Sequence, residues 1–98
     1  MANYYLTNKA VEDLTGIWNY TYEHWSETQA DTYYFLLLDS CQTIANNPNR
    51  GKKYDVVNEK ILGYISNQHI IFYIIILKNE IEIVRILHGS MDLKSKFE

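Results

Sequence analysis

Eight consecutive apolar residues, from Ile70 to Leu77, constrain the fold of this 98-residue chain more than any other feature. They are too few to cross a bilayer as a helix, and they are rich in the β-branched and aromatic types that favour a central β-strand. The alternating stretch Glu80 to His88 predicts a partner strand, reached through a Lys78-Asn79 turn. Because the central strand is apolar on both faces, it needs cover on both faces from other parts of the molecule.

Two amphipathic helices are predicted upstream of these strands. Thr7 is a good N-cap, and apolar residues then recur at three- and four-residue steps, which predicts a first helix over residues 8–25. Asp13 falls on the polar side of this helix, and Trp25 is expected to pack in the core or in the hairpin. Ser26 and Gln29 have the form of a capping box, so a second helix starts there with almost no linker. It ends at Asn46-Asn47-Pro48, because the residue before proline is pushed out of the helical conformation. The two helices should form an antiparallel hairpin.

The remaining pattern completes an α+β fold in one domain spanning residues 1–98. Asn3 to Leu6 alternates and is predicted to be a strand that joins the sheet, while Ile61 to Ser66 leads through an Asn67-Gln68 turn into the central strand. The predicted order is β-α-α-β-β-β, with the helical hairpin packed on one face of an antiparallel sheet. The long irregular segment 47–59 is interpreted as a solvated loop, although its cations could also form a patch for an acidic partner or phosphate.

Two helices cover about one face of a four-stranded sheet, so the opposite face is expected to stay open. An exposed apolar area of that kind marks a binding surface. The sequence leaves two sets of residues as candidates for the open face, Ile70, Phe72, Ile74 and Ile76 or else Ile71, Tyr73, Ile75 and Leu77. The alternative is that the long loop and the C-terminal tail fold across it.

Composition excludes several classes of function. The formal net charge of −3 disfavours tight binding to nucleic acid, which normally requires a basic face. With one cysteine, Cys41, an internal disulfide is impossible, and no export signal is seen at the N-terminus, so a cytoplasmic location is expected. Three scattered histidines and the absence of ligand motifs predict neither a metal site nor a cofactor.

The C-terminal half of the chain resembles the ParE toxins of the RelE/ParE superfamily. The resemblance is carried by His69-Ile-Ile-Phe-Tyr73 and by Ile81-Glu-Ile-Val-Arg-Ile-Leu-His-Gly-Ser-Met-Asp92. Weaker matches lie upstream, at Asp13-Leu14 and Ile17-Trp18 in the first helix and at Asn47-Pro48 after the second. The resemblance covers nearly the whole chain and implies the helical hairpin and antiparallel sheet already predicted.

The resemblance implies a toxin of a type II toxin–antitoxin pair, plasmid- or chromosome-encoded, that binds DNA gyrase and is neutralised by a ParD-like antitoxin. The expected complex is a hetero-oligomer of two toxin and two antitoxin chains or larger. The RelE-like branch instead cleaves messenger RNA on the ribosome with basic side chains. Here Leu62, Gln68 and Ile74 stand where relatives often carry a cation, which argues against a ribonuclease.

We therefore predict a protein that acts by binding rather than by catalysis. The alternatives are a RelE-like ribosome-dependent endoribonuclease and a degenerate toxin that only binds an antitoxin. The antitoxin-binding candidates on the sheet are Ile70, Phe72, Ile74, Ile76, Val84 and Ile86. The target-contact candidates are Arg85, His88, Met91, Lys94 and Lys96, with Arg85 expected to pair with Glu82 or Asp92.

Overall fold

A computed structural model describes residues 2–54 and 57–89 of the chain. The helices are α1 (Asn8–His24) and α2 (Glu27–Asn46), and a 3-10 turn follows at Pro48–Arg50. The strands are β1 (Asn3–Leu6), β2 (Lys52–Lys53), β3 (Leu62–Ser66), β4 (His69–Leu77) and β5 (Glu80–His88). The predicted α+β architecture, a helical hairpin on one sheet, is confirmed with boundaries close to those expected.

Local capping interactions define the start of both helices, as predicted. The Ala10 amide donates to the hydroxyl oxygen of Thr7 at 3.0 Å, and the Gln29 amide donates to that of Ser26 at 3.1 Å. Between the helices, the Trp18 indole N–H donates to the Asp31 carboxylate at 2.9 Å. Each cap satisfies an otherwise unpaired amide, and only Trp25 and Ser26 separate the end of α1 from the start of α2, so the hairpin closes tightly.

The five strands form one sheet in the order β1-β5-β4-β3-β2. β1 runs parallel to β5, with Tyr4 opposite Ile81, so the sheet is mixed and the expectation of an all-antiparallel sheet is wrong at this edge. Parallel neighbours need a long crossover connection. The chain leaves β1 through both helices and three further strands before β5 returns beside it. β2, which pairs with β3, lies inside the segment that was interpreted as a loop.

The main core lies between the hairpin and one face of the sheet. Leu14, Leu37 and Ile44 from the helices pack with Ile71 and Tyr73 of β4, and all five side chains are at most 2% exposed. Of the two sets left open by the sequence, the one containing Ile71 and Tyr73 therefore faces the helices. The opposite face of the sheet, here called the second face, carries Ile70, Phe72 and Ile74.

The second face is covered in part by the chain itself. Tyr54, Val57 and Ile61 pack against Ile70 and Phe72, which are 7% and 0% exposed. The expectation of a bare second face is therefore wrong for these two residues, and the solvated-loop interpretation is wrong for the part of the segment that covers them. The physical reason is that the segment carries apolar side chains of its own, and burying them against the strand removes both surfaces from water.

The Tyr54 ring lies over Gly63 and meets the Phe72 ring edge-on, with centroids 5.1 Å apart. Gly63 is the cross-strand partner of Phe72, and a Cβ at position 63 would occupy the space of the Tyr54 ring. The missing side chain of Gly63 thus creates the slot that receives the tyrosine. This contact attaches the segment between β2 and β3 to the second face.

A β-bulge in β5 reverses its alternation. Tyr73 pairs with Ile83 whereas Phe72 pairs with Arg85, so Val84 is an extra residue. Beyond the bulge Ile86 turns toward the helices and is 2% exposed. The sequence pattern placed Ile86 on the same face as Val84, and that assignment is wrong because a one-residue insertion moves every later side chain to the other face.

Candidate interaction site

An open groove of about 1040 Å³ lies between the helical hairpin and the end of the sheet where β4 begins and β5 ends. We call it the hairpin groove. Its lining includes Gly16, Ile17, Tyr20, Trp25, Tyr33, His69 and His88. Tyr20 and Trp25 are 61% and 70% exposed, so the prediction that Trp25 packs in the core or hairpin is wrong. Exposed aromatic rings at a concave surface are suited to contact with a partner, because they bury a large apolar area on binding.

An ion pair closes one side of the hairpin groove. Arg85 donates from Nε and Nη2 to the two carboxylate oxygens of Asp13 on α1, at 2.8 and 2.9 Å. Asp13 also accepts from the Ile86 amide at 3.0 Å, just after the bulge. The hydrogen bonds that Arg85 donates to Asp13 raise the pKa of its guanidinium above the usual arginine value. Asp13 therefore joins α1 to β5 and fixes the direction of Arg85.

Two histidines and a tyrosine form a second polar group in the hairpin groove. The Tyr33 hydroxyl lies 2.7 Å from Nδ1 of His69, whose ring meets that of its cross-strand partner His88 at 5.4 Å. Burial, and then the neighbouring His88, lower the pKa of His69, while Asp13 opposes the shift. Burial raises the pKa of Tyr33. The pair is thus held with His69 neutral and Tyr33 protonated near neutral pH.

Comparison with known proteins identifies the family. The family model described as the ParE toxin of type II toxin–antitoxin system, parDE, matches residues 4–93. The chain belongs to the ParE toxin family. It is 30% identical over 95 residues to Toxin ParE1 of Caulobacter vibrioides, covering 97% of each chain. It is also 30% identical over 92 residues to Toxin ParE1 of Mycobacterium tuberculosis, covering 94% of each.

A solved structure supports the same fold for this ParE toxin. The chain is similar to one titled as the chromosomal ParDE TA system from P. aeruginosa, with a TM-score of 0.75 at 17% sequence identity. The match covers 90% of this chain and 96% of that one. At this level of identity the likeness extends to the fold, and the resemblance noted from the C-terminal sequence is confirmed at the level of the family.

The predicted site residues of this ParE toxin do not form one surface. Among the antitoxin-binding candidates Ile70, Phe72 and Ile86 are buried, Ile74 and Val84 are half-buried, and Ile76 is 45% exposed. Among the target-contact candidates Arg85 and His88 line the hairpin groove, and Arg85 is engaged with Asp13. Met91, Lys94 and Lys96 lie outside the described residues. The role of each candidate stays a prediction.

Several residues of the hairpin groove were not identified from the sequence. Asp13 was assigned to the polar side of the first helix, and Tyr20 was not singled out. A usable signal was available, because Tyr20 is a large aromatic residue off the apolar stripe of an otherwise amphipathic helix. Such a residue gains nothing from the core of its own chain and therefore suggests a contact outside it.

The single thiol of this ParE toxin, that of Cys41, is not in the lining of the hairpin groove. Cys41 is fully buried, and burial raises its pKa to about 12, so the thiol stays protonated and is a poor nucleophile. Within residues 2–54 and 57–89 no group of three or more His, Cys, Asp or Glu side chains could hold a metal ion. Neither described helix is long and apolar enough to cross a membrane.

Proposed function

We propose that this ParE toxin acts by binding rather than by catalysis, inhibits DNA gyrase, and is silenced by a ParD-like antitoxin that occupies the hairpin groove. The observation that carries the proposal is the groove itself, a concave surface with Tyr20 and Trp25 exposed at its edge. Leaving such rings in water is unfavourable compared with burying them against a partner. A neighbour of the same fold is titled as a ParDE toxin–antitoxin system, which supports an antitoxin as that partner.

A ribosome-dependent ribonuclease is the less favoured alternative. Cleavage of RNA needs cations that can stabilise developing negative charge on the phosphate. Arg85, a cation in the lining of the hairpin groove, already forms a bidentate bridge with Asp13, so its charge is offset. Leu62 and Gln68 supply no positive charge at the positions where relatives often carry a cation. We place the protein in the cytoplasm, in a hetero-oligomer of two toxin and two antitoxin chains or larger.

The proposed target can be tested with the purified chain. Added to DNA gyrase, it should inhibit supercoiling of a plasmid, and it should leave messenger RNA intact in a reaction with translating ribosomes. The protein encoded by the open reading frame next to that of the toxin should relieve the inhibition. Messenger RNA cleavage without gyrase inhibition would establish the ribonuclease alternative. Activity in neither assay, with antitoxin binding retained, would indicate a degenerate toxin.

The proposed antitoxin site can be tested with two exposed aromatic residues of the first helix region. Trp25→Asp places a charge in the hairpin groove and should weaken antitoxin binding by about 2 kcal/mol or more, as for an interface hot spot. Tyr22→Asp is the control, because Tyr22 is 52% exposed but is absent from the groove lining. Isothermal titration gives both affinities, and circular dichroism confirms that both variants fold. If the two variants bind the antitoxin equally well, the hairpin groove is not the antitoxin site, and the second face around Ile74 becomes the candidate.

A further inference from the structure

Gly16 occupies the middle of α1, which spans Asn8–His24, and lines the hairpin groove. A glycine in a helix interior is unfavourable compared with alanine, because its backbone loses more freedom on folding. Its conformation does not require glycine, since the described residues include no glycine with positive φ. The surrounding space does not require it either, since a Cβ built at position 16 meets nothing within 4 Å.

Two other glycines, Gly51 and Gly63, are required by contacts within the chain. A Cβ on Gly51 would overlap the Tyr73 ring, whose hydroxyl donates to the Pro48 carbonyl at 2.7 Å and accepts from the Gly51 amide at 2.9 Å. A Cβ on Gly63 would overlap the Tyr54 ring. Both glycines are explained by contacts within the chain. Gly16 has no such contact among the described residues, and it faces the groove that we assign to a partner.

The negative charge of the helical hairpin indicates which side chains a partner segment should carry. The residues of α1 and α2 include six carboxylates against a single lysine, Lys9. The carboxylates are Glu12, Asp13, Glu23, Glu27, Asp31 and Asp39. Arg85 offsets Asp13, Glu12 lines the groove itself, and the other carboxylates of the two helices add to the negative field of the hairpin. A segment that enters the groove should therefore combine apolar side chains with flanking lysines or arginines.

We propose that the antitoxin segment in the hairpin groove lays its main chain directly against Gly16. Its apolar side chains then contact Tyr20 and Trp25, and its basic side chains face the hairpin carboxylates. The inference rests on the proposed function, since it specifies how the groove is occupied. Without a Cβ at position 16 the two backbones approach more closely than any other residue would allow. The stability that glycine costs the free toxin is then recovered in the complex.

The proposal predicts effects of opposite sign for one substitution. Gly16→Ala should raise the melting temperature of the free chain by roughly 2–6 °C, because alanine is the better helix former and has room. The same variant should bind the antitoxin roughly tenfold more weakly, because the added methyl group holds the partner off. Gly16→Leu should bind more weakly still while remaining folded. Antitoxin binding should also weaken as salt rises from 50 to 300 mM, about as expected for basic groups facing carboxylates.

Thr15→Ala is the matched control. Thr15 is exposed on the same turn of α1 and lies outside the groove lining, so alanine should stabilise the helix there without changing affinity. Unchanged antitoxin affinity of Gly16→Ala, or a lower melting temperature, would overturn the inference. Antitoxin binding that strengthens as the salt concentration rises would contradict the proposed contact between basic antitoxin side chains and the hairpin carboxylates. If the unsubstituted toxin fails to bind the neighbouring gene's product, the proposed function itself fails, which is a distinguishable result.

Discussion

Asp13 shows how one side chain can set the geometry of two elements. Its carboxylate accepts from the Arg85 guanidinium and from the Ile86 amide, 72 and 73 residues away in the sequence. At the bulge itself, the Thr7 hydroxyl donates to the Val84 carbonyl at 2.8 Å. The bulge interrupts the hydrogen-bond ladder between β4 and β5. The side chains of Asp13 and Thr7 therefore bind backbone groups of β5 that would otherwise be unpaired. Thr7 was predicted as a cap, whereas its second role needs the folded chain.

His69 makes the stability of the toxin depend on pH. Its folded pKa is lowered, so the unfolded chain binds more protons as the pH falls through the ordinary histidine range. The contribution of neutral His69 is therefore fully present above about pH 6.5 and is lost as the pH falls through the lower folded value. Urea unfolding at pH 7.5 and 5.5 should show the decrease, and His69→Gln should reduce it.

The control for this prediction is His24→Gln. His24 is exposed at the end of α1, where its ring stacks on that of Tyr20 at 4.0 Å, so this variant removes a histidine and keeps the contact between Tyr33 and His69. The range above pH 5.5 avoids most carboxylate titration. A pH dependence that is identical in the His69→Gln variant would contradict the assignment of the effect to this residue.

At the scale of elements, the segment between β2 and β3 is the largest departure from expectation. Counting helices correctly predicted that the hairpin covers one face, but it gave no cover to the second. The cover comes from Tyr54, Val57 and Ile61, which precede β3 and fold back onto it. Irregular segments have no periodicity, so the sequence offers no pattern from which their packed side can be read.

Tyr54 should therefore contribute to the stability of the whole chain. Tyr54→Ala removes a ring packed on Gly63 and Phe72, and it should reduce the free energy of unfolding by about 2–4 kcal/mol. Tyr54→Phe keeps the ring and should stay within about 0.5 kcal/mol of the parent. Denaturant unfolding measures both. A Tyr54→Ala variant as stable as Tyr54→Phe would mean that the segment does not cover the second face in solution.

In the molecule as a whole, the net charge of −3 is unevenly distributed between an acidic and a basic region. The helical hairpin is acidic, whereas Arg50, Lys52, Lys53 and Lys60 lie in or beside β2, on the far edge of the sheet from β1. The two helices form one side of the hairpin groove, and Glu12 is in its lining, which is why we expect a basic partner segment there. The prediction that residues 1–98 form a single domain remains to be tested by a single cooperative unfolding transition.

Local sequence signals were enough to predict both helices, β1 and the strands from β3 to β5. Caps at Thr7 and Ser26 and the turn at Asn67, whose φ is 58°, act through neighbouring residues, so their signals are local and readable. The apolar run in β4 likewise had only one plausible structure. The family resemblance followed from the same stretch and is confirmed.

Which surfaces stay exposed depends on long-range contacts that the sequence pattern does not show. The bulge at Val84 shifted Ile86 to the core, the segment around Tyr54 closed part of the second face, and the direction of β1 came from its pairing with β5. Each of these three features depends on contacts between residues far apart in the sequence. Several arrangements of such contacts have similar energies until the strand register and the path of the loops are fixed. For that reason the run Ile70–Leu77 identified the core of the fold, while the candidate site lies in a groove formed by other residues.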